Sequence, residues 1–236
     1  MYKRQVLSFD LPFEFAPYRL SGTVYGVLMN HRAALAALGE AAYRPPYKAP
    51  PKGPVLYIKP RNTLVAPGAP LRIDDPAGEL EVGAALGIVI GRTACRVAES
   101  EAMGVVAGYV IVADCSLPHD SYFRPAIRFK ARDGSCAIGP KVTARADIAN
   151  PDALGVRVLV DGRPVHAAGT GDTFRGVARL VSDISEFMTL APGDLLLAGV
   201  APGSPRVGAG ASLAIEVDGL GRLETRLAPA VEIAGR

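Results

Sequence analysis

The sequence predicts a mainly β fold with short helices (α+β), and three observations predict it. Its 26 glycines and 20 prolines cut the apolar residues into short runs rather than long helices. The run VRVLV alternates and then meets Asp161-Gly162, a two-residue pair that favours a tight hairpin. The run LEVGAALGIVIGR is apolar without strict alternation, as a strand covered on both faces must be. With 236 residues the chain is long enough to bury a sizeable core as one unit. We expect one domain over residues 23–230, preceded over residues 1–22 by an arm or edge strand in which prolines interrupt a loose alternation.

In chain order, SGTVYGVLMN reads as a strand ending at Asn30, and the Ala and Leu content of HRAALAALGEAAYR favours a short helix opened by His31. A histidine there serves as a capping or surface residue, or as a functional group presented at a strand end. The proline-rich stretch RPPYKAPPKGP reads as a lid or crossing loop that delivers the strand VLYIK, with Lys59 at its end as an anion donor or a snorkelling lysine. After the buried run, TACRVAESEAMGVVAGY has a helical pattern whose early Glu99 and Glu101 complement a helix N-terminus. The strand GVVAGYVIVAD should end at Asp114. His166 on the hairpin's return arm reads as surface. Apolar residues at helical spacing from Phe174 to Phe187 predict an amphipathic helix stopped by Pro192. LLLAGV, ASLAIEVDG and GRLETRL are the last strands, joined by Gly-rich turns.

Chemistry concentrates in DCSLPHDSYFRPAIRFKARDGSCAIGP, from Asp114 to Pro140. Arg124, Arg128, Lys130 and Arg132 share parity, so on an extended segment they would share a face. Such a face suits a small, multiply charged anion, since Arg offers planar bidentate donors and Lys a compact charge for a developing oxyanion. The alternative is a solvated cationic strand face.

Composition narrows the partners. A formal net charge of +3 provides no stripe for a polyanion, so nucleic acid is not expected. Cys95, Cys115 and Cys136 are odd in number and lack metal-type spacing, which fits a reducing cytosol better than a disulfide framework. The start has no continuous apolar core of a signal, and no run of roughly 18 apolar residues exists to cross a bilayer. A cytoplasmic protein without membrane contact is therefore expected. G-x-G-x-x-G and P-loop patterns are absent, so nucleotide cofactors have no support.

Taken together, YGVLMNHR, PVLYIKPRNTL, GIVIGRTACRV, VAGYVIVADCS, YFRPAIRFKARDG, IGPKV, VDGRPV, ISEFMTLAPGDLLLAG and IEVDGLGRLETRL, in that order, resemble the fumarylacetoacetate hydrolase family. Within it the sequence is most similar to the N-terminal subunits of the isomerase/decarboxylases of 4-hydroxyphenylacetate (homoprotocatechuate) degradation. The resemblance implies a mixed β-roll or sandwich, a cytoplasmic enzyme, and a homodimer or a pairing with a homologous metal-bearing subunit. It also implies a dicarboxylate or tricarboxylate substrate.

Family members hold Mg2+ or Mn2+ on a Glu-x-Glu pair and on an Asp ending the next strand. Here Gly83 and Ala85 fall at the pair and Asp114 at the third position, so the expectation is a metal absent or weakly bound. Glu79 and Glu81 lie too early on the strand to replace that pair and read as exposed charges. Ala34 stands where hydrolytic relatives carry a water-activating His, and Val200 and Ala201 where Thr and Pro are usual, which disfavours hydrolysis. The surviving matches imply Lys130 as oxyanion donor and Arg124 as carboxylate clamp. Lys59 or Arg61 would be a second clamp, Thr170 a substrate contact near the hairpin, and His31 or Asp114 the proton-transfer group. The implied activity is isomerisation of 2-hydroxyhepta-2,4-diene-1,7-dioate to its 2-oxo tautomer, with decarboxylation of 5-oxopent-3-ene-1,2,5-tricarboxylate as a further activity. The alternative is a non-catalytic partner subunit for a metal-bearing homologue.

Overall fold

A computed structural model describes residues 22–75, 78–119 and 127–230. In the first part of the chain, β1 (Val24–Leu28) leads to α1 (Arg32–Leu38), followed by β2 (Val55–Lys59), β3 (Leu64–Val65), β4 (Leu71–Ile73) and β5 (Glu79–Ile90). Next come α2 (Glu99–Ala102), β6 (Val106–Ser116), α3 (Ile127–Lys130), β7 (Cys136–Ile138) and β8 (Thr143–Ala144). The hairpin β9 (Gly155–Val160) and β10 (Arg163–Gly169) precedes α4 (Val177–Ser185), and β11 (Leu195–Leu197), β12 (Arg206–Gly208), β13 (Ser212–Val217) and β14 (Gly221–Pro229) complete the described elements. The architecture is thus strand-rich with few short helices, as the sequence predicts.

Two sheets form. The larger runs β2-β1-β11-β5-β6-β7-β3, with β12 added on β5 and β8 on β6, and the smaller runs β10-β9-β13-β14-β4. The main core lies between them: Leu80, Val82, Leu86, Ile88, Tyr109 and Ile111 from the larger sheet meet Val158, Leu213, Ile215 and Leu223 from the smaller, with Leu180 and Ile184 of α4 closing the edge. The opposite face of the larger sheet carries a second cluster that includes Ala85, Val89, Val110 and Val112. Because side chains alternate along a strand, even positions of β5 enter the main core while odd ones face the second cluster, and β6 does the reverse. Asp114 is therefore on the second face, paired with Gly83 and with Cys136. At the hairpin tip Asp161 and Gly162 have φ of 50° and 76°, the positive pair that a type I′ turn requires.

Several expectations need correction. The helix read over TACRVAESEAMGVVAGY is only the single turn of α2, because a 3-10 turn at Met103–Val105 and then β6 take over. β6 runs two residues past Asp114, to Ser116. The segment around Lys130 is helical rather than extended, closed by a bond from Ala131 N–H to the Ile127 carbonyl at 2.8 Å. Equal parity then no longer means a shared face: Arg128 is exposed while Lys130 is buried. Arg124 lies outside the described residues, and so does the expected arm except for Gly22.

Candidate active site

The buried carboxylate of Asp114 organises the polar centre of the larger sheet. The Asp114 and Lys59 side chains have no exposed surface, and Lys59 Nζ lies 2.9 Å from Asp114 Oδ1. Lys59 spends its three ammonium hydrogens elsewhere, on the carbonyls of Cys115 and Lys130 at 2.7 and 2.6 Å and on Ser135 Oγ at 3.2 Å. Its contact with Asp114 is thus an ion pair rather than a fourth hydrogen bond. Lys130 Nζ donates to Asp114 Oδ2 at 3.2 Å, and the Tyr57 hydroxyl donates to the same oxygen. Lys130 Nζ also sits 4.5 Å from the centre of the Tyr57 ring, a cation–π contact. Strand pairing explains the company: Tyr57 and Lys59 share a face of β2, and the position opposite Tyr57 on β1 is Gly26, where a Cβ would overlap the Tyr57 ring.

Burial pushes the Asp114 carboxyl upward, but the charges of Lys130 and Lys59 and the Tyr57 hydrogen bond outweigh it and hold the group well below the usual carboxylate range. Burial alone would lower the Lys59 ammonium; the Asp114 charge reverses this and leaves its pKa raised. Burial, with the Asp114 charge next to it, raises the Tyr57 phenol well above its ordinary value. Two ammonium groups facing one carboxylate leave a net positive charge at this point.

A cleft of about 510 Å³ opens over this centre. Its base presents Asp114, Lys130, Tyr57 and Ser116, and one wall is the apolar side of α1 with Ala34, Ala37 and Leu38. Glu81, His119, Ser204, Arg206 and Ala201 also line it, as does Val200, which packs against Gly83. His119 stacks on Phe129, ring centres 5.0 Å apart, beside the helical turn that delivers Lys130.

Of the residues singled out in the sequence, the structure brings Asp114 and Lys130 to the cleft and leaves others away from it. Lys59 is beneath the base, its hydrogens already engaged, so it cannot also clamp a carboxylate. Arg61 is exposed on a 3-10 turn away from the cleft lining. Thr170 is buried, its hydroxyl donating to the Pro151 carbonyl at 2.7 Å and accepting from Leu154 N–H at 2.9 Å, and it ties two loops together instead of facing a substrate. His31 is buried and is not among the residues that line the cleft. The neighbouring Asn30 is pinned by its amide to the carbonyls of Arg175 and Ala198 at 2.9 and 2.8 Å, and the turn into α1 then aims His31 at a separate cavity of about 20 Å³ shared with Thr170, Ala84 and Leu86. Burial lowers its pKa, against the opposing pull of Asp172 and the Gly169 carbonyl.

Sequence reasoning missed Tyr57, Ser116, Ser204 and Arg206 and set Glu81 aside as an exposed charge. Glu81 is half-buried on the cleft wall, two residues from Gly83 on the same face of β5. That parity, together with Tyr57 two residues before Lys59, was the available signal.

Residues 23–228 match the family described as fumarylacetoacetate (FAA) hydrolase C-terminal. The chain belongs to the fumarylacetoacetate hydrolase family. It is 39% identical over 218 residues to the 4-hydroxyphenylacetate degradation bifunctional isomerase/decarboxylase of Escherichia coli, covering 92% of this chain and 49% of that protein. The chain thus spans about half the length of the curated relatives it matches. Among solved structures, 2-hydroxyhepta-2,4-diene-1,7-dioate isomerase from Mycobacterium marinum superposes with a TM-score of 0.71 at 27% identity, over 88% of this chain and 75% of that one. The fold is shared with fumarylpyruvate hydrolase from Pseudomonas aeruginosa, solved with Mn2+ and pyruvate, at a TM-score of 0.78 and 24% identity over 97% and 98% of the chains.

The donor set at the fumarylacetoacetate hydrolase metal position does not fit a divalent ion in this chain. Hard cations take several oxygen ligands. Gly83 has no side-chain oxygen to give, and a Cβ there would lie 2.7 Å from the Asp114 carbonyl oxygen and 2.8 Å from both Val200 methyls. Ala85 is buried in the apolar cluster beside Val89, Val110 and Val112. The third ligand, Asp114, faces two ammonium groups and a phenol. Among the described residues no other group of acidic, histidine or cysteine side chains could hold a metal.

Proposed function

We propose that this chain is an isomerase that converts 2-hydroxyhepta-2,4-diene-1,7-dioate to its 2-oxo tautomer in 4-hydroxyphenylacetate catabolism. The observation that carries the reading is Lys130, a nearly buried ammonium held by Asp114 and Tyr57 among the residues that line a cleft. The likeness to relatives named for this pathway and this isomerisation supports the substrate class.

Enol-to-ketone conversion needs a donor for the oxygen at carbon 2, where negative charge builds in the dienolate, and needs no activated water. Lys130 supplies that donor. Asp114, fixed by Lys59 from below, holds the Lys130 head group rather than moving protons itself, because its carboxylate is kept ionised. Tyr57 limits the Lys130 rotamers through its ring and occupies the second lone-pair region of Asp114 Oδ2. The net positive charge at the base attracts a dianion. With Ala34 on the wall, the position implied for a water-activating His has no base, which removes the hydrolytic step. Decarboxylation of 5-oxopent-3-ene-1,2,5-tricarboxylate is assigned to a metal-bearing companion.

The test is ultraviolet decay of the hydroxydienedioate with purified protein. Wild type should outpace buffer and Lys130→Ala should lose about 100-fold or more in kcat. The second reading, a non-catalytic partner subunit, draws on Gly83 and Ala85 at the acid positions and on the half-length match. It predicts no decay above buffer from the chain alone, and an unchanged rate when Lys130→Ala protein is mixed with a metal-bearing homologue.

A further inference from the structure

Resting on the isomerase reading, we infer that Glu81 carries the proton in this reaction, with Arg206 fixing the substrate's far carboxylate beside it. The tautomerisation moves a proton from the oxygen on carbon 2 to carbon 5, so a site that stabilises only the oxygen end is incomplete. Asp114 is held as an ion between two ammonium groups, and the Lys59 hydrogens are engaged by protein acceptors. His31 opens into the other cavity.

Glu81 differs from all three. The residue is half-buried among those that line the cleft, and its carboxylate has no hydrogen bond or ion pair among the described residues. Arg206, also on the cleft, has none either.

Strand register puts these groups in line. Gly83 is opposite Asp114, and one same-face step along β5 Glu81 is opposite Ser116 on β6 and Arg206 on β12. Directly paired residues project to one face. The step along the strand is roughly 7 Å for two residues, and each neighbouring strand is about 4.8 Å away. A seven-carbon diacid whose 2-oxygen sits at Lys130 therefore extends past Glu81 toward Arg206, which offers a planar pair of donors to its last carboxylate.

The step balances without any other reactant. The O–H bond on carbon 2 breaks and its proton passes to the Glu81 carboxylate. The oxygen's electron pair forms the carbonyl, the pair between carbons 2 and 3 moves between carbons 3 and 4, and the pair between carbons 4 and 5 takes the proton from Glu81 to form the new C–H bond. Glu81 returns to its carboxylate, and nothing is oxidised or reduced.

The experiment follows substrate decay by ultraviolet absorbance, and deuterium at carbon 5 of the product by NMR in heavy water, for wild type, Glu81→Gln, Glu81→Asp, Arg206→Gln and Lys130→Ala. Wild type should place deuterium on one face of carbon 5. Glu81→Gln should lose about 100-fold or more in kcat, with little change in KM and with loss of that facial selectivity, while Glu81→Asp recovers part of the rate. Arg206→Gln should act mainly through KM. Glu81→Gln within about twofold of wild type while Lys130→Ala is impaired overturns this inference and leaves the isomerase reading standing. Failure of wild type to outpace buffer overturns both.

Discussion

Two polar pockets lie on either side of β5, and the same strand supplies a wall of each. Glu81 and Gly83 face the cleft, whereas Ala84 and Leu86 face the cavity that holds His31 and Thr170. Both pockets bury ionisable or hydroxyl side chains. In the cleft a carboxylate and two ammonium groups stabilise one another and leave a net charge exposed to an open space. In the cavity Thr170 is satisfied by backbone and His31 is driven toward its neutral form by burial, beside Asp172 and His166. A buried polar residue therefore marks a site only where its charge is kept and faces room for a ligand.

Removing a charge from the cleft base should separate the two pockets most sharply. Lys59→Ala leaves Asp114 with one ammonium partner in a fully buried position and should cost about 3 kcal/mol or more, read from urea unfolding. Packing at the end of the cleft comes next. Gly83→Ala forces a methyl against the Asp114 carbonyl and Val200, for a loss of about 1–3 kcal/mol, and Val200→Ala in the same chain should return part of it. On the other side of β5, Thr170→Val strands the Leu154 N–H and should cost about 1–2 kcal/mol while leaving isomerisation intact. If Thr170→Val lowers kcat as Lys130→Ala does, the division of labour drawn here is wrong.

The smallest effects are in pH dependence, and they differ between the pockets in position, not in sign. Asp114 is held below its unfolded value of about 3.9, so the unfolded chain takes up the proton first. Its contribution is complete above that value and is lost as pH falls through the folded one, and Asp114→Asn should flatten the acid limb of a stability profile. His31 is lowered from about 6.5, so its contribution is complete above that pH and declines as pH falls through the folded value. His31→Gln should flatten only that higher-pH portion, in thermal unfolding across the same buffers.

The longer strands β1, β2, β5 and β6, the hairpin and the centre of α4 were legible because each rests on local periodicity and turn chemistry, whereas the two- and three-residue strands such as β3, β8 and β12 carry too few residues to show a period, and α4 spans Val177–Ser185 rather than reaching Phe174 and Phe187. Lys130 and Asp114 were legible through the order of motifs around them. The rest of the cleft depends on pairings between distant segments. Tyr57 reads as an ordinary strand aromatic until Gly26 is found opposite it. Arg206 belongs to the cleft only because three residues of β12 pair with the start of β5. Lys59 failed in the opposite way: a lysine at a strand end looks available, but folding gives its hydrogens to Cys115, Lys130 and Ser135.

Lys59 and Lys130 together outweigh the charge of Asp114, the residue at the position where the family resemblance implies a metal ligand. The most direct measurement is hydroxydienedioate decay by the chain purified and assayed in chelator, with and without added Mn2+. Turnover above buffer that neither treatment changes is expected. Turnover lost in chelator and recovered with Mn2+ would contradict it.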